Sequence, residues 1–373
     1  MRASSVAAVL LATVGCGHAA RDPDAAAESD TQVGAQPPLS SDCTGVMPDV
    51  SGPQFTVTVP GQYCSIGETT AGNGTLTFVT ADASGRRGPI YLYRAWDGAP
   101  LGSVELDPAA SNLFASDQFF VALQTDASRS YWEVRSYDHD GQEIARVRLV
   151  GARSSYPDIA AAPDGGAFLV THEFDSSGAA LIFYRFDAQG HVVSGPVEID
   201  REPFGPIGAP QASVWPSPAG DVLVGFSSTT SADVMGLWVD RDGRILTRRL
   251  PLVVNPNGFA FWPSKLPAVA GGVLPWLSSA PGFVPELATR PAEIPKFLKD
   301  RPWIPPWAFA SLPRQRAYVV ATTTPFYEVV APAGNTCGTF RTAAAGKFAV
   351  GRDGSFIVKS DGCTFTWWPR AFR

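Results

Sequence analysis

An internal repeat is the feature that most limits the folds open to this chain. A short apolar segment recurs four times, with starts 43, 48 and 55 residues apart, at 75–79, 118–122, 166–170 and 221–225. A glycine that ends an Asp-containing stretch recurs with almost the same spacing, 43, 49 and 53 residues, at Gly98, Gly141, Gly190 and Gly243. Two features that keep step through four copies indicate repeated structural units of similar size.

Each unit carries the pattern of a β-hairpin. After Gly141, apolar residues at 145, 147 and 149 alternate with Arg146 and Arg148. This two-residue period is typical of a half-buried strand. An Asp-rich turn that ends in glycine between two such strands predicts a hairpin, because glycine readily adopts a positive φ.

Units of this length that hold several short strands are the size of propeller blades. Degraded copies follow at 271–276 and 316–321, and a last hairpin surrounds Asp353–Gly354. No stretch of ten or more residues after the N-terminal segment has a helical period. The sequence therefore predicts an all-β chain in which residues 42–373 form one β-propeller domain of about seven blades, with six as the alternative count. A pair of β-sandwiches is the structural alternative.

The N-terminus has the pattern of an export signal. Arg2 precedes an apolar run over 6–14, which is too short to span a bilayer and has the length of a signal-peptide core. The stretch from Thr13 to Cys16 (TVGC) resembles a bacterial lipobox, in which the signal is cut before a cysteine that becomes lipidated. An ordinary secretory signal, cut after Ala19 or Ala20, and an uncleaved anchor are the alternatives.

The lipobox resemblance implies a division of the N-terminal region. Residues 1–15 would be the signal peptide, and residues 16–41 would be the lipidated Cys16 followed by a flexible tether, because this segment has almost no large apolar side chains to bury. Gly17, rather than Asp, follows the cysteine, which by resemblance to enteric lipoproteins implies the outer membrane. As a whole, the chain resembles a bacterial β-propeller lipoprotein, exported and lipid-anchored in the cell envelope.

The ring of a propeller must close. Placing the first strand in the last blade leaves no long free edge. The segment Phe55–Val59 alternates apolar and polar residues, and we predict that it pairs with Cys363–Trp367 at the other end of the chain.

Four cysteines lie in the predicted propeller, at Cys43, Cys64, Cys337 and Cys363. An even number of cysteines in an exported chain predicts disulfides, and free structural thiols are the alternative. Proximity in sequence favours the pairs Cys43–Cys64 and Cys337–Cys363, whereas the other pairings would join the N-terminal segment to the C-terminal one. No cysteine spacing fits a zinc site.

Composition excludes some classes of protein. The chain has 45% hydrophobic residues, enough for a core, which excludes global disorder. Its formal net charge of -6 argues against nucleic-acid binding, because phosphate contacts require a basic surface. The stretch from Asn255 to Pro313 is rich in proline and tryptophan. We interpret those tryptophans as side chains that cover the core where the strands are irregular. The alternative is an aromatic platform that binds a sugar or a partner.

Two of the predicted turns read D-x-D-G and contain Asp138, Asp140, Asp240 and Asp242. Calcium prefers six to eight oxygen ligands, usually with a further carboxylate downstream. We interpret these residues instead as hairpin turns in which Asp accepts hydrogen bonds from nearby backbone N–H groups. They are weak calcium candidates, and we expect no metal and no cofactor.

Catalytic motifs are almost absent. The sequence has no nucleophile elbow, no H-E-x-x-H motif and no phosphate-binding loop. His172 with Glu173 is the best acid–base candidate, since their strand could line a central channel, but neighbours on a strand point to opposite faces. The pair is therefore a weak catalytic candidate.

These observations favour a non-catalytic module. We expect a monomer that binds a protein or a glycan at the cell envelope, with the membrane contacted through the lipid anchor alone and no nucleic-acid partner. The alternative is a propeller-fold glycan hydrolase or lyase that uses carboxylates at the channel mouth.

Overall fold

The computed structural model describes most of the chain from residue 43 onward. The described residues are 43–65, 71–72, 74–83, 87–105, 111–115, 119–125, 132–138, 140–149, 157–203, 211–217, 219–227, 233–247, 249–253, 264–267, 273–276, 308–312, 316–323, 325–351 and 353–372. The expected signal peptide, Cys16 and the tether lie outside these residues, as do Trp262, Trp303 and Trp307 of the proline-rich stretch. Within this part of the chain, no helix has the length and apolar character needed to cross a membrane.

The described residues form 27 β-strands and no α-helix. In chain order the strands are β1 (Phe55–Thr58), β2 (Tyr63–Ser65), β3 (Ala71–Gly72), β4 (Thr75–Ala81), β5 (Arg87–Arg94), β6 (Pro100–Val104), β7 (Ser111–Ala115), β8 (Phe119–Thr125), β9 (Trp132–Asp138), β10 (Glu143–Leu149), β11 (Asp158–Ala161), β12 (Ala167–Asp175), β13 (Gly178–Phe186), β14 (Val192–Glu202), β15 (Ala212–Pro216), β16 (Val222–Ser227), β17 (Val234–Val239), β18 (Leu250–Val253), β19 (Ser264–Pro267), β20 (Val273–Trp276), β21 (Phe309–Leu312), β22 (Ala317–Thr323), β23 (Phe326–Val330), β24 (Thr336–Arg341), β25 (Lys347–Val350), β26 (Phe356–Lys359) and β27 (Thr364–Trp368).

The strands pair antiparallel with their neighbours in sequence. We number the resulting sheets in chain order: sheet I (β2–β6), sheet II (β7–β10), sheet III (β11–β14), sheet IV (β15–β18), sheet V (β19 and β20), sheet VI (β21–β24) and sheet VII (β25–β27 with β1). The repeated apolar segments are the second strands of sheets I to IV, namely β4, β8, β12 and β16. The repeated glycines lie between the third and fourth strands of the same sheets.

The sheets follow one another around a ring. The first strand β15 of sheet IV contacts β11 on one side and β20 on the other, and β21 contacts both β19 and β25. First strands therefore form the inner ring. Clusters of buried apolar side chains fill the boundaries between sheets II and III, III and IV, VI and VII, and VII and I. This arrangement of antiparallel sheets is a β-propeller, as the sequence predicts.

Five of the sheets have the four strands of a complete blade, sheet I has five strands, and sheet V has two within the described residues. The expectation of about seven blades is therefore not met by the count of complete blades, which is five. Sheet I carries an additional short strand, β3. Most residues from 254 to 307 lie outside the described part of the chain, so the two strands are the described part of sheet V.

The predicted ring closure is confirmed. Strand β1 is the outer member of sheet VII and pairs antiparallel with β27, with Phe55 opposite Trp367 and Thr58 opposite Thr364. Two threonine hydroxyl pairs cross this seam, Thr56–Thr366 at 3.0 Å and Thr58–Thr364 at 2.9 Å. Strand β1 supplies the fourth strand of sheet VII and covers the edge of β27.

The four cysteines form two disulfides, as predicted, but the pairing that proximity in sequence favoured is wrong. The bridges are Cys43–Cys337 and Cys64–Cys363, with sequence separations of 294 and 299 residues and Cα–Cα distances of 5.2 and 5.5 Å. The reason is geometric, because β1 runs the length of sheet VII between Cys43 and Cys64 and carries them to opposite ends of the strand. The two bridges indicate an exported protein.

The repeated turn glycines also serve packing between sheets. A methyl group added to Gly98 would lie 2.7 Å from Phe55, and one added to Gly243 would lie 3.0 Å from Phe183. In both cases the neighbouring ring belongs to the adjacent sheet of the ring. Gly141 and Gly190 approach the preceding sheet in the same way, so the repeat records inter-sheet contact as well as turn geometry.

Candidate functional site

The turns that follow the first and third strands of each sheet lie on one of the two faces of the propeller. Because strands alternate in direction, the turns between first and second strands and those between third and fourth strands emerge on the same side of the ring. We call this side the turn face. The connections between second and third strands, and between successive sheets, lie on the opposite side.

Aspartates organise these turns through their side chains. Oδ1 of Asp138 accepts hydrogen bonds from the backbone N–H of Asp140 at 3.0 Å and of Gln142 at 2.8 Å. Oδ1 of Asp240 does the same for Asp242 and Arg244, both at 2.9 Å. The arrangement fits the hairpin interpretation of the D-x-D-G motifs. Among the described residues, no group of three or more His, Cys, Asp or Glu side chains gathers as metal ligands would.

A cleft opens on the turn face at the boundary between sheets III and IV. Its volume is about 170 Å³, and its lining residues are Pro163, Asp164, Phe168, Ala219, Gly220 and Arg241. They come from three turns: the first turn of sheet III and the first and third turns of sheet IV, with Phe168 at the start of β12. The site therefore exists only because two sheets are packed side by side.

A partly buried arginine bridges the two sheets at this boundary. Arg185, at the end of β13 and 15% exposed, places one guanidinium nitrogen 2.6 Å from Oδ2 of Asp164 and another 3.3 Å from Oδ1 of Asp242. The other oxygen of Asp164 accepts the backbone N–H of Gly166 at 3.1 Å. Burial opposes ionisation of Asp164, but the hydrogen bonds from Arg185 and Gly166 outweigh it and hold the pKa of this carboxyl below its ordinary value.

Arg241 is the charged group of the cleft that the fold leaves unengaged. Its side chain is exposed, and within the described residues its guanidinium makes no ion pair or hydrogen bond. It lies between Asp240 and Asp242 in sequence, yet Oδ1 of each carboxylate serves another partner, the backbone of the turn for Asp240 and Arg185 for Asp242. The cleft thus combines an apolar floor, an ion-paired wall and one available cation.

The structure does not bring His172 and Glu173 together as an acid–base pair. His172 is buried on the side of β12 that faces sheet IV, with ring centroids 6.5 Å from those of Phe174 and Phe226, and burial lowers the pKa of its imidazole to about 4. Glu173 faces the other way, where Oε1 accepts a hydrogen bond from the Tyr184 hydroxyl at 3.3 Å. Burial and the Glu173 charge raise the pKa of Tyr184.

The inner ring offers little catalytic chemistry in the part of the chain that is described. Strand β12 is the second strand of its sheet, so His172 does not lie on the inner ring. The described first strands carry one carboxylate, Asp158, and its Oδ2 accepts hydrogen bonds from the Ser213 hydroxyl at 2.7 Å and the Val214 N–H at 2.8 Å. This carboxylate links sheets III and IV.

A second ionic cluster joins the same two sheets on the opposite face. Arg249 of sheet IV contacts Asp200 at 2.7 Å and Glu202 at 2.9 Å in sheet III, and its guanidinium lies 5.5 Å from the ring centre of Phe226. Together with Arg185, it clamps the III–IV boundary at both ends. Neither arginine belongs to a sequence motif, which is why the sequence did not single them out.

Comparison with known proteins adds little to this description. No family model and no curated protein matches the chain. Among solved structures, a functionally unknown protein from Desulfotomaculum acetoxidans is similar with 14% identity, 76% of this chain and 86% of that chain covered, and a TM-score of 0.38. The Dos1 propeller has 12% identity, 83% and 78% coverage and a TM-score of 0.39. A member of the DUF4221 family from Bacteroides vulgatus has 13% identity, 87% and 97% coverage and a TM-score of 0.35.

Proposed function

We propose that this chain is a non-catalytic binding module of the bacterial cell envelope, which acts as a monomer and presents the turn face of its propeller to a protein or glycan partner. The observation that carries the proposal is the cleft between sheets III and IV. It offers an unengaged guanidinium beside Asp164, whose two oxygens are held by Arg185 and by the Gly166 N–H. A preformed concave site with few placed polar groups is the usual form of a binding site.

Anchoring by a lipid on Cys16, in the outer membrane, is the second part of the proposal. It is supported by the lipobox-like residues Thr13–Cys16, by Gly17 and by the export that the disulfides indicate. Several acyl chains on one residue would hold a protein stably at a membrane, since one chain alone binds weakly.

A seven-sheet ring is the third part. Strands β2 and β3 pair with successive stretches of the same strand, β4. They therefore act as one interrupted first strand, and sheet I has the form of a four-stranded blade. Sheet V, with two described strands, contacts both sheet IV and sheet VI, which supports counting it as a seventh unit of a single domain over 42–373.

Metabolic labelling tests the anchor. The full chain and its Cys16→Ala variant are expressed in a Gram-negative host with an alkyne-tagged palmitate. We expect the label on the wild-type chain alone, together with its recovery in the outer-membrane fraction. Equal labelling of both chains, or wild-type protein recovered free in the periplasm, would contradict the anchor.

A thermal-shift screen tests the binding role. Envelope glycans and synthetic peptides are added to the full chain carrying Cys16→Ser, which prevents lipidation. A ligand at 100 times its Kd adds about 2.7 kcal/mol to stability, and the midpoint of a domain this large moves by roughly 2 °C per kcal/mol. Turnover of any glycan in the screen would overturn the non-catalytic assignment.

A further inference from the structure

We infer that the cleft between sheets III and IV takes one carboxylate-bearing side chain, a glutamate or an aspartate, from a protein partner. This inference rests on the proposed binding role of the turn face and names the chemistry of the group that is bound. Two observations support it. One is which charged groups of the cleft already have partners, and the other is the size and lining of the cavity.

The engagement of the charges selects an anion. Both oxygens of Asp164 are occupied, one by Arg185 and the other by the Gly166 N–H. The Oδ1 atom of Asp242 faces Arg185, and that of Asp240 holds its own turn. Of the two charged residues that line the cleft, Asp164 is fully engaged, whereas Arg241 is exposed and unpaired among the described residues.

Charges of both signs surround the cleft. The three turns carry four aspartates, Asp164, Asp221, Asp240 and Asp242, and three arginines lie beside them, Arg185, Arg241 and Arg244. Among the described lining residues Asp164 is the carboxylate, and Arg185 holds it. Arginine also binds carboxylates better than a point charge would, because its planar fork can donate two parallel hydrogen bonds.

The size and lining of the cavity favour a side chain over a sugar ring. A volume of about 170 Å³ suits one side chain of a larger partner. A sugar ring packs best on the open face of an aromatic ring, but the one aromatic lining residue, Phe168, is 1% exposed and presents little of its face. The apolar lining of Pro163 and Ala219 instead suits the methylene groups that carry a carboxylate.

The walls of the cavity are preorganised. Arg185 binds the first turn of sheet III to the third turn of sheet IV, and the Ser194 hydroxyl donates to the Asp242 carbonyl at 3.1 Å. A partner would therefore lose little affinity to ordering the site. Arginine is enriched at protein–protein interfaces and among the residues that contribute most to binding there.

Amide NMR titration of the full chain carrying Cys16→Ser tests the inference. The probe is N-acetyl-glutamic acid α-amide, and N-acetyl-glutaminamide is its uncharged match. We expect shifts of the Gly220 and Gly165 amides with the acid at a Kd on the order of 1 mM, and at least about tenfold weaker binding of the amide. Acetate and galacturonate serve as a bare carboxylate and a carboxylate on a sugar.

Three variants assign the site. Arg241→Gln should weaken binding of the acid at least about tenfold. Arg244→Gln, an exposed neighbour outside the cleft lining, should leave the Kd unchanged, and Ala219→Leu should abolish the shifts by filling the cavity. Because residues 219, 241 and 244 are all exposed, the three variants should keep the wild-type melting temperature, which shows that loss of binding is not loss of fold.

The inference is overturned if the amide binds as well as the acid, if Arg241→Gln binds like Arg244→Gln, or if no shift occurs. Equal affinity for acetate would make the cleft a general anion site, and tighter binding of galacturonate would make it a sugar site. Both outcomes also overturn it. Failure here leaves the proposed function standing if glycans or other peptides still stabilise the Arg241→Gln chain.

Discussion

At the scale of single residues, burial gives His172 a role in stability. Its imidazole is held neutral inside the III–IV boundary, near two phenylalanine rings, and its pKa is lowered to about 4 by desolvation. The unfolded chain takes up a proton near the ordinary value of 6.5, whereas the folded chain does so only near 4. The folded state therefore loses stability as the pH falls through this window.

We predict that His172 makes the protein about 2 kcal/mol less stable at about pH 5 than at about pH 7. The His172→Gln variant should lack this part of the pH dependence, because glutamine does not titrate. Urea unfolding of both chains at the two pH values measures it. His191→Gln, which removes a histidine that is 61% exposed, should keep the wild-type dependence, and an unchanged slope in His172→Gln would refute the prediction.

The aspartate turns allow a sharper test of their chemistry. Asp138 holds two backbone N–H groups, whereas no hydrogen bond involves the carboxylate of Asp140 among the described residues. Asp138→Ala should cost about 1 kcal/mol, and Asp140→Ala should stay within about 0.5 kcal/mol of wild type. Calcium ligation would make the two substitutions equally costly in millimolar calcium, and denaturant midpoints with and without the ion separate the two cases.

At this scale the turns were predictable from the sequence, whereas the cleft between sheets III and IV was not. Each aspartate–glycine turn joins two neighbouring strands and is stabilised by residues close to it in sequence, so a local sequence pattern can predict it. The partners of Arg185 come from two sheets, 21 residues before it and 57 after it. No short motif spans such a contact, so the site could not be found without the packing of the ring.

At the scale of strands and turns, the repeated glycines do more than reverse the chain. Gly243 has φ +88°, and a methyl group there would meet Phe183 and Val197 of sheet III at 3.0 and 3.1 Å. Gly220 has φ +92° with open space around it. Both glycines adopt a positive φ that would strain another residue, but only Gly243 also packs closely against the neighbouring sheet.

Gly243→Ala should therefore destabilise the protein by about 1 kcal/mol more than Gly220→Ala. The two variants share the cost of an alanine at positive φ, so their difference isolates the inter-sheet contact. Thermal unfolding at one pH is sufficient as a measurement. Equal losses would mean that Phe183, which is fully buried, can move aside.

The repeated apolar segments predicted the positions of second strands correctly, and the reason is physical. The predicted segment at 75–79 lies within β4, and that at 166–170 overlaps β12. These parts of the second strands are almost entirely buried and mostly apolar. First and fourth strands have mixed exposure and weaker patterns.

At the scale of the whole molecule, the two disulfides close nearly the same large loop. Each spans almost 300 residues, and the ring left between the two bridges comprises only about 50 residues. Removing one bridge therefore returns to the unfolded chain only the entropy that the smaller ring restricts. Removing the second bridge returns the entropy that the larger ring restricts.

We predict that Cys43→Ala with Cys337→Ala lowers the unfolding free energy by about 4 kcal/mol, and that removing Cys64 and Cys363 as well lowers it by about a further 5 kcal/mol. Denaturant titrations of the wild-type, double and quadruple variants provide the comparison. A quadruple variant as stable as the double variant would show that strand β1, rather than the bridges, closes the ring.

The pairing of the cysteines was predictable in principle from the closure that the sequence indicates. Once Phe55–Thr58 lies against Thr364–Trp367, Cys64 comes next to Cys363. Nearness along the chain was the weaker guide, because a strand that crosses a sheet separates the residues at its two ends.

The crossed bridges also determine how the molecule would bear a mechanical load. A pull on the residues before Cys43, opposed at the C-terminus, would pass through the bridge to Cys337 or along β1 to the bridge at Cys363. Everything between Cys64 and Cys337, which includes the cleft, lies off the path of the force. The propeller could be held under tension at its N-terminus without its turn face being stretched.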